Sequence, residues 1–338
     1  MRTRALRAVI IPLLSLVCIP ADAQTINSRP VYVNNILPIM QGSGISAPKQ
    51  SLVSNDDSDS AWSYLLSANL QSHANDSETV PETLIIDGEV HQLGFVSEWN
   101  FSPRLQLGVE LSLIKNSSGN LDNLIREWHD LFGLDQGDRN ELPDDQFLFF
   151  YTDEDSLLSQ RAISGDSVSS ISDTEISLAY QLYQNDKFSI ATYLSAMLPT
   201  GKADKLTGSD KTDIKLTLAL GSQNNSAFAW HLNADLIAIG DDSLFNIPTK
   251  SNTWSGSAGL HWRSSDNWRW SMQLDGHGEV FDSQIEEINK PAWQLALASQ
   301  YKQWQIYFAE DITVNRAADF SLGINWFCLL YTSPSPRD

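Results

Sequence analysis

The sequence predicts an all-β fold, a transmembrane antiparallel up-and-down β-barrel of about twelve strands with a helix-containing extracellular or plug insertion. Three observations predict it. Segments of alternating apolar and polar residues recur along the chain, short and long connections alternate between them, and tryptophans collect at one end of the predicted strands. Segments of about ten residues that are apolar outside and polar inside are typical of outer-membrane barrels.

The alternation is clearest between Leu105 and Ile114. Successive side chains on a strand point to opposite faces, so every second residue here contributes to one apolar face. The same pattern predicts twelve strands, near 61–72, 83–101, 104–114, 174–184, 187–198, 211–222, 226–240, 252–264, 267–281, 291–301, 303–314 and 318–327.

The connections between these strands alternate in length. Short turns rich in Asn, Asp, Ser and Pro are predicted at 101–104, 184–187, 224–226, 265–267 and 302–303. Longer links are predicted at 73–82, 115–173, 199–210, 241–251 and 282–290. Outer-membrane barrels have short periplasmic turns, longer external loops and, in bacterial single-chain proteins, an even strand number, which this arrangement satisfies.

Tryptophan placement supports the same topology. Ten of the eleven tryptophans fall in predicted strands, and eight of these ten lie near the ends joined by short turns. Amphipathic rings prefer the membrane interface, so this clustering indicates an aromatic girdle. A soluble β-sandwich with an aromatic core is the alternative, and it gives no reason for the one-sided clustering.

The two ends of the chain carry different signals. A basic start, an apolar run over 8–19 and Ala21-Asp22-Ala23 predict a secretory signal peptide over 1–23. An N-terminal extension (24–60) then precedes the barrel (61–327). Residues 328–338 match the translation of an adapter DNA used in sequencing libraries, and we interpret them as an artefact.

Composition excludes several classes of function. A formal net charge of −20 repels nucleic acid and argues against it as a partner. No apolar run reaches 18 residues, which argues against a helical membrane protein. Phosphate-binding glycine loops and clustered cysteine ligands are missing from the sequence, so we expect no cofactor and no metal.

The 115–173 insertion contains structure of its own. Apolar residues at Leu124, Ile125, Trp128, Leu131 and Phe132 have helical spacing, and the glycine that follows at 133 suits a C-cap. A short strand is predicted over 146–151. The acidic stretch 153–155 and the serine-rich run 164–172 are expected to be solvated.

This insertion resembles a family of outer-membrane proteins catalogued as domain of unknown function 3187 (DUF3187). The similar residues run from Gly119 through Trp128 and Gly133 to Arg139, and the segments 27–38 and 87–89 also resemble that family. The resemblance implies a barrel fold and an outer-membrane location. The family brings no known activity, so it implies no catalytic residue.

The predicted helix must bury its apolar face over the barrel mouth, inside the lumen or on the membrane surface. As a constriction it would hold Asp122, His129 and Arg139 near a passing solute, whereas in a merely packed loop these residues would bond their neighbours. Inward positions on the strands complete the candidate lumen set: Glu110, His231, Asp235, His261, Arg263, Arg269, Asp275, His277 and Glu279. Their charges could pair and close the lumen, or line a polar path.

The leading hypothesis is a narrow outer-membrane channel or uptake route for a small solute, gated by the 115–173 insertion. A non-conducting envelope protein, whose acidic loops bind cations or outer-leaflet lipid, is the alternative. A lipid hydrolase is a third possibility, although Ser255, Ser257 and His261 share an inward face. The expected partners are outer-membrane lipid, the barrel-assembly machinery and a small solute.

Overall fold

Antiparallel strands close into a barrel in the computed structural model, which describes residues 28–34, 36–50, 61–154, 156–222 and 226–331. The predicted signal peptide lies outside the described residues. In chain order the strands are β1 (Ala61–Thr79), β2 (Glu82–Ser102), β3 (Leu105–Ser117), β4 (Leu148–Asp153), β5 (Ser156–Ser164), β6 (Ser167–Ile171), β7 (Thr174–Gln184), β8 (Phe188–Leu198), β9 (Asp213–Ser222), β10 (Phe228–Ala238), β11 (Ser243–Leu244), β12 (Ile247–Pro248), β13 (Asn252–Arg263), β14 (Trp268–His277), β15 (Ala292–Tyr301), β16 (Trp304–Asp311) and β17 (Phe320–Tyr331).

Twelve of these strands form the barrel wall in the described part of the chain. Each wall strand pairs with its neighbours in the order β1, β2, β3, β7, β8, β9, β10, β13, β14, β15, β16 and β17. The ring closes because β1 pairs with β17, from Ala61 opposite Tyr331 to Ser72 opposite Phe320. The predicted twelve-stranded antiparallel barrel is confirmed, and the β-sandwich alternative is wrong.

The wall separates an apolar outer face from a polar inner face. In β9, for example, the Leu218 side chain is 42% exposed on the outside, whereas its neighbour Thr217 is fully buried on the inside. Since paired residues of adjacent strands share a face, this alternation carries across the wall. The period-two pattern of the sequence is therefore the inside–outside pattern of the barrel.

Tryptophans cluster where short turns join the strands. The rings of Trp62 and Trp99 stack with centroids 5.5 Å apart across β1 and β2, and Trp304 lies 6.4 Å from Trp326 across β16 and β17. These side chains form an aromatic band at one end of the wall, as expected for a membrane interface.

The 115–173 insertion contains the predicted helix α1 (Asp122–Phe132), which ends at Gly133 in the left-handed conformation with φ 66°. The predicted short strand is β4, which extends the pairing of β2 beyond the end of β3. The serine-rich run 164–172 was expected to be solvated, and most of it forms β6, whose side chains are exposed or half-buried, along the edge of β3. No helix in the described ranges is long and apolar enough to cross a membrane.

The predicted link 73–82 is wrong. Strands β1 and β2 stay paired from Ser72 opposite Glu89 to Thr79 opposite Glu82, and two residues, Val80 and Pro81, join them. This hairpin continues because its two strands supply each other's backbone hydrogen bonds even where the rest of the wall has ended. The link 241–251 contains the β11–β12 hairpin, and 282–290 contains the one-turn helix α2 (Glu286–Asn289).

Candidate functional site in the barrel lumen

Residues 28–34 and 36–50, here called the lumenal segment, lie inside the barrel. The inward Gln273 side chain accepts a hydrogen bond from the Val31 backbone N–H at 2.8 Å and donates one to the Val31 carbonyl at 3.0 Å. The inward Asn325 side chain donates to the carbonyl of Tyr32 at 3.2 Å. Eight wall strands contact the segment in this way within the described residues, through Gln71, Glu110, Glu175, Tyr193, Lys215, Asn233, Gln273 and Asn325.

A buried ion-pair cluster holds the end of the segment. The Lys49 ammonium lies 2.9 Å from a Glu110 carboxylate oxygen and 3.0 Å from one of Glu175. Glu175 also pairs with Lys215 at 3.2 Å, and the Tyr32 hydroxyl donates to Glu110 at 2.5 Å. Two carboxylates therefore face two ammonium groups, which compensates the cost of burying charge.

The segment reverses direction at an apex near the outer mouth. A single 3-10 turn over Pro38–Met40 precedes Gly42 and Gly44, whose φ angles are +94° and +75°. A β-carbon on Gly42 would lie 2.4 Å from the Ser209 backbone nitrogen, and one on Gly44 would lie 2.6 Å from Ile237. Glycine is required here for both the backbone conformation and the space.

An apolar cluster around this apex closes the outer mouth. Its side chains come from the lumenal segment, from β2, β4 and β10, and from the outer links. The members are Ile36, Leu37, Ile39, Met40, Leu84, Ile86, Phe147, Phe149, Tyr151, Leu206, Ile237, Ile239, Leu244, Phe245, Ile247, Val280, Phe281, Ile285 and Ile288. We call this cluster the mouth cap. The 115–173 insertion contributes to it through β4 rather than through α1.

Several residues of the candidate lumen set lie on the inner face. His231 Nδ1 and His261 Nε2 are hydrogen-bonded at 2.8 Å, with the two rings stacked. Arg269 is buried nearby on the inward register of β14, and Arg263 is half-buried at the end of β13. These groups lie towards the short-turn end of the barrel.

Asp275 and His277 lie higher on β14 and are buried inside. Both carboxylate oxygens of Asp275 accept hydrogen bonds from the Gln273 side chain at 2.9 Å. His277 Nδ1 contacts the Gly278 carbonyl at 2.8 Å. Glu279 lies past the end of β14, where it pairs with Lys250 at 2.9 Å among partly exposed side chains. No group of three His, Asp or Glu side chains suited to a metal ion occurs among the described residues.

The serines considered for hydrolysis do not bond to the histidine of their strand. Ser255 donates to Asp235 at 2.7 Å, and His261 pairs with Ser271 at 2.8 Å instead. Ser255, Ser257 and His261 all share the inward register of β13. The arrangement therefore offers no outward Ser–His pair from β13 at the lipid-facing surface.

Asp122, His129 and Arg139 do not line the lumen, so the interpretation of them as a constriction is corrected. His129 pairs with Glu310, and Arg139 bonds both Asp122 and Ser72. Glu310 and Ser72 lie on the outward register of β16 and β1. The three residues are outside the wall because β3 delivers the insertion onto the outer surface of the neighbouring strands. Hydrogen bonding to Glu310 raises the pKa of His129 above its usual value.

The lumenal segment is the part of the site that sequence reasoning missed. It lacks strand periodicity, but it contains the closely spaced apolar residues Val31, Val33, Ile36, Leu37 and Ile39, all fully or almost fully buried here. An extension without a partner would not bury so many apolar side chains. That density was the available signal for an internal plug.

Parts of the lumen beside the segment remain polar. Asn233 Nδ2, Ser257 Oγ, His277 Nε2 and Gln305 Nε2 are buried without a hydrogen-bond partner among the described residues. Buried polar groups that lack a protein partner are usually satisfied by water. The inner wall around the segment is therefore suited to hydration rather than to dry packing.

Comparison with known proteins identifies the family and the fold. The model of the family described as "Protein of unknown function (DUF3187)" matches residues 7–326. The COG4313 outer membrane channel from Pseudomonas putida F1 has a TM-score of 0.52 at 11% identity, covering 82% of this chain and all of that chain. Two porins are more distant. The NanC porin has a TM-score of 0.43 at 7% identity, covering 80% of this chain and 100% of that chain. The KdgM porin has a TM-score of 0.38 at 12% identity, covering 78% of this chain and 98% of that chain. The first of these similarities shows a shared barrel fold. No curated protein matches the chain.

Proposed function

This chain belongs to the DUF3187 family, and we propose that it is an outer-membrane channel for a small polar solute, closed by its own lumenal segment. The observation that carries the proposal is the position of the lumenal segment inside a polar-lined barrel beneath an apolar mouth cap. In this proposal the segment is a gate, and the polar inner wall is the path that it blocks.

The contacts of the segment are of a kind that can exchange. Gln273, Asn325 and Gln71 bond its backbone, and each such hydrogen bond contributes a net stabilisation of about 1 kcal/mol. The same side chains could bond water or a polar solute after the segment moved. A twelve-stranded barrel lies in size between the filled eight-stranded barrels and the open sixteen-stranded porins. Emptying it would leave a narrow path suited to small molecules.

The position of the gate differs from the one predicted from sequence. We expected the 115–173 insertion to gate the lumen through its helix, but α1 lies on the outer face of the wall. We therefore assign gating to the lumenal segment, with Phe149 and Tyr151 of β4 as the contribution of the insertion to the mouth cap.

Conductance in planar lipid bilayers tests this assignment. The full chain is compared with a variant that lacks residues 30–49 and with a matched control that lacks α1 (122–132). We expect frequent open events only after removal of 30–49. Heat-modifiable migration on a denaturing gel verifies that each variant is a folded barrel. Absence of conductance from the folded 30–49 deletion would overturn the channel proposal.

A non-conducting envelope protein is the second candidate function. The buried cluster of Lys49, Glu110, Glu175 and Lys215 favours it, because such a cluster can cross-link the lumenal segment to the wall permanently. In that case the segment is an internal core that stabilises the barrel. A folded 30–49 deletion that is much less stable and still non-conducting would favour this alternative.

A further inference from the structure

Polar side chains occupy outward positions near the outer end of the wall, where lipid would be their surroundings. Glu310 follows the outward Trp304, Ile306 and Phe308 on β16 and pairs across the ladder with the outward Leu295. The carboxylate is not open to the surroundings, because His129 of α1 covers it at 2.8 Å. A bare carboxylate on the lipid face would carry a depth-dependent cost.

The same insertion covers the outward polar residues of the neighbouring strands. Glu89 of β2 accepts hydrogen bonds from the backbone N–H groups of Asn120 and Leu121, both at 2.7 Å. Ser72 of β1 lies 3.2 Å from the guanidinium of the fully buried Arg139. Residues 120–139 therefore supply hydrogen-bond or ion-pair partners to the outward polar strip formed by Ser72, Glu89 and Glu310.

One flank of the exposed side of α1 carries apolar side chains. Leu124, Leu131 and Phe132 are 54%, 75% and 58% exposed. At about 100° per residue, they fall on one arc with Trp128, whereas the exposed polar residues fall on another: Asn123, Glu127 and Asp130. A helix packed on a protein beneath water would expose polar residues over its whole free side. Here one flank of the exposed side is polar and the other is apolar, and the apolar flank includes Trp128, which packs on the barrel wall.

The depth of α1 on the wall follows from its contacts. Trp128 packs on the outward Phe308 with ring centroids 5.1 Å apart, and Phe308 stands four residues above Trp304 of the aromatic band. At a rise of about 3.3 Å per residue and a strand tilt of about 40°, Phe308 lies roughly 10 Å above that band, and the apolar belt of such barrels is about 25 Å tall. The contact of α1 with the wall therefore lies within the apolar belt, near its mid-height, and not above it.

We propose that α1 is a lipid-contact surface: acyl chains of the outer leaflet cover Leu124, Leu131 and Phe132, while the buried side of the insertion shields the polar strip. We identify lipid as the partner of this surface because the exposed apolar arc of α1 adjoins the outward wall side chains Ile306 and Leu322. In a membrane the same lipid must cover those wall side chains. The inference rests on the outer-membrane location within the proposed function, but not on conduction.

Spin-label accessibility in phospholipid vesicles tests the proposal. Single cysteines replace Leu131 and Leu124 on the apolar arc and, as the matched control on the same helix, Glu127, in a background where Cys18 and Cys328 are serine. Leu322→Cys supplies the reference for a wall position. We expect labels at 131 and 124 to match the wall reference, with at least a threefold lower collision rate with a water-soluble nickel complex than the label at 127.

Equal nickel accessibility at 124, 131 and 127, with the label at 322 protected, would show that α1 faces water and would overturn the inference while leaving the barrel in the membrane. A label at 322 that is itself open to nickel would overturn the membrane location and the inference with it. Neither result depends on whether the lumen conducts.

Discussion

Individual buried charges connect the lumenal segment to the wall. Lys49 belongs to the segment, whereas its partners Glu110 and Glu175 belong to β3 and β7. Loss of one partner from a buried pair leaves an uncompensated charge, which is far more costly than loss of an exposed pair. The closed state of the barrel therefore depends strongly on a single side chain of its gate.

Replacement of Lys49 by Gln is expected to release the lumenal segment. Glu110 would lose its buried counter-charge, which destabilises the closed state by about 3 kcal/mol. Hydrogen–deuterium exchange measures this change: the backbone amides of residues 29–50 should exchange faster, while the exchange rates of the wall strands stay as in the parent chain. The control is Lys211→Gln, because Lys211 and Asp242 form an exposed pair, for which we expect no measurable change. Equal exchange in both variants would contradict the prediction.

The contact of His129 with Glu310 predicts a pH dependence. Hydrogen bonding to Glu310 raises the pKa of His129 in the folded chain, so the contact stabilises α1 fully below the unfolded pKa near 6.5. This stabilisation is lost as the pH rises through the folded pKa. Urea titrations that follow the environment of α1 should give a higher free energy of unfolding at pH 5.5 than at pH 8.5.

Replacement of His129 by Gln is expected to remove this part of the pH dependence while keeping a hydrogen-bonding side chain. A pH dependence that survives in His129→Gln would show that another group causes it.

At the scale of elements, the lumenal segment fits only because its apex turns sharply. Gly42 combines a φ of +94° with a backbone neighbour too close for any β-carbon. By contrast, Gly165 has a φ of +119° with open space around it. The two glycines separate the effect of a steric clash from the effect of backbone strain alone.

Replacement of Gly42 by Ala is expected to displace the apex from the mouth cap. The added methyl group would collide with the Ser209 backbone, so the segment must shift and expose apolar residues of the cap. Binding of an environment-sensitive apolar dye should rise relative to the parent chain. Gly165→Ala provides the control: it adds strain without a collision, and dye binding should stay at the parent level. The same rise in both variants would refute the steric explanation.

At the scale of the whole molecule, the wall was predictable and its contents were not. The alternation that predicts strands such as Leu105–Ile114 depends only on which face each residue takes, so the twelve strands could be read from local pattern. The position of α1 could not, because an amphipathic helix does not specify which surface it covers. Glu310 and Glu89 broke the outward apolar pattern, and those breaks were the local signal that something lies over the wall.

Charge around the emptied lumen predicts the selectivity of the open barrel. Without residues 30–49 the lumen loses the Lys49 ammonium, while the inward carboxylates outnumber the inward cations of the wall. The carboxylates include Glu98, Glu110, Glu175, Asp213, Asp235, Asp275 and Asp311, and the cations include Lys215, Arg263 and Arg269. A narrow path with excess negative charge favours cations, because the low-dielectric wall strengthens the field inside it.

The reversal potential of the 30–49 deletion in a potassium chloride gradient should therefore have the sign of cation preference. Adding Glu110→Gln and Asp235→Asn should lower the cation-to-anion permeability ratio severalfold, whereas the outward change Glu310→Gln should leave it as it was. Anion preference in the deletion variant would mean that ions do not travel along this inner wall.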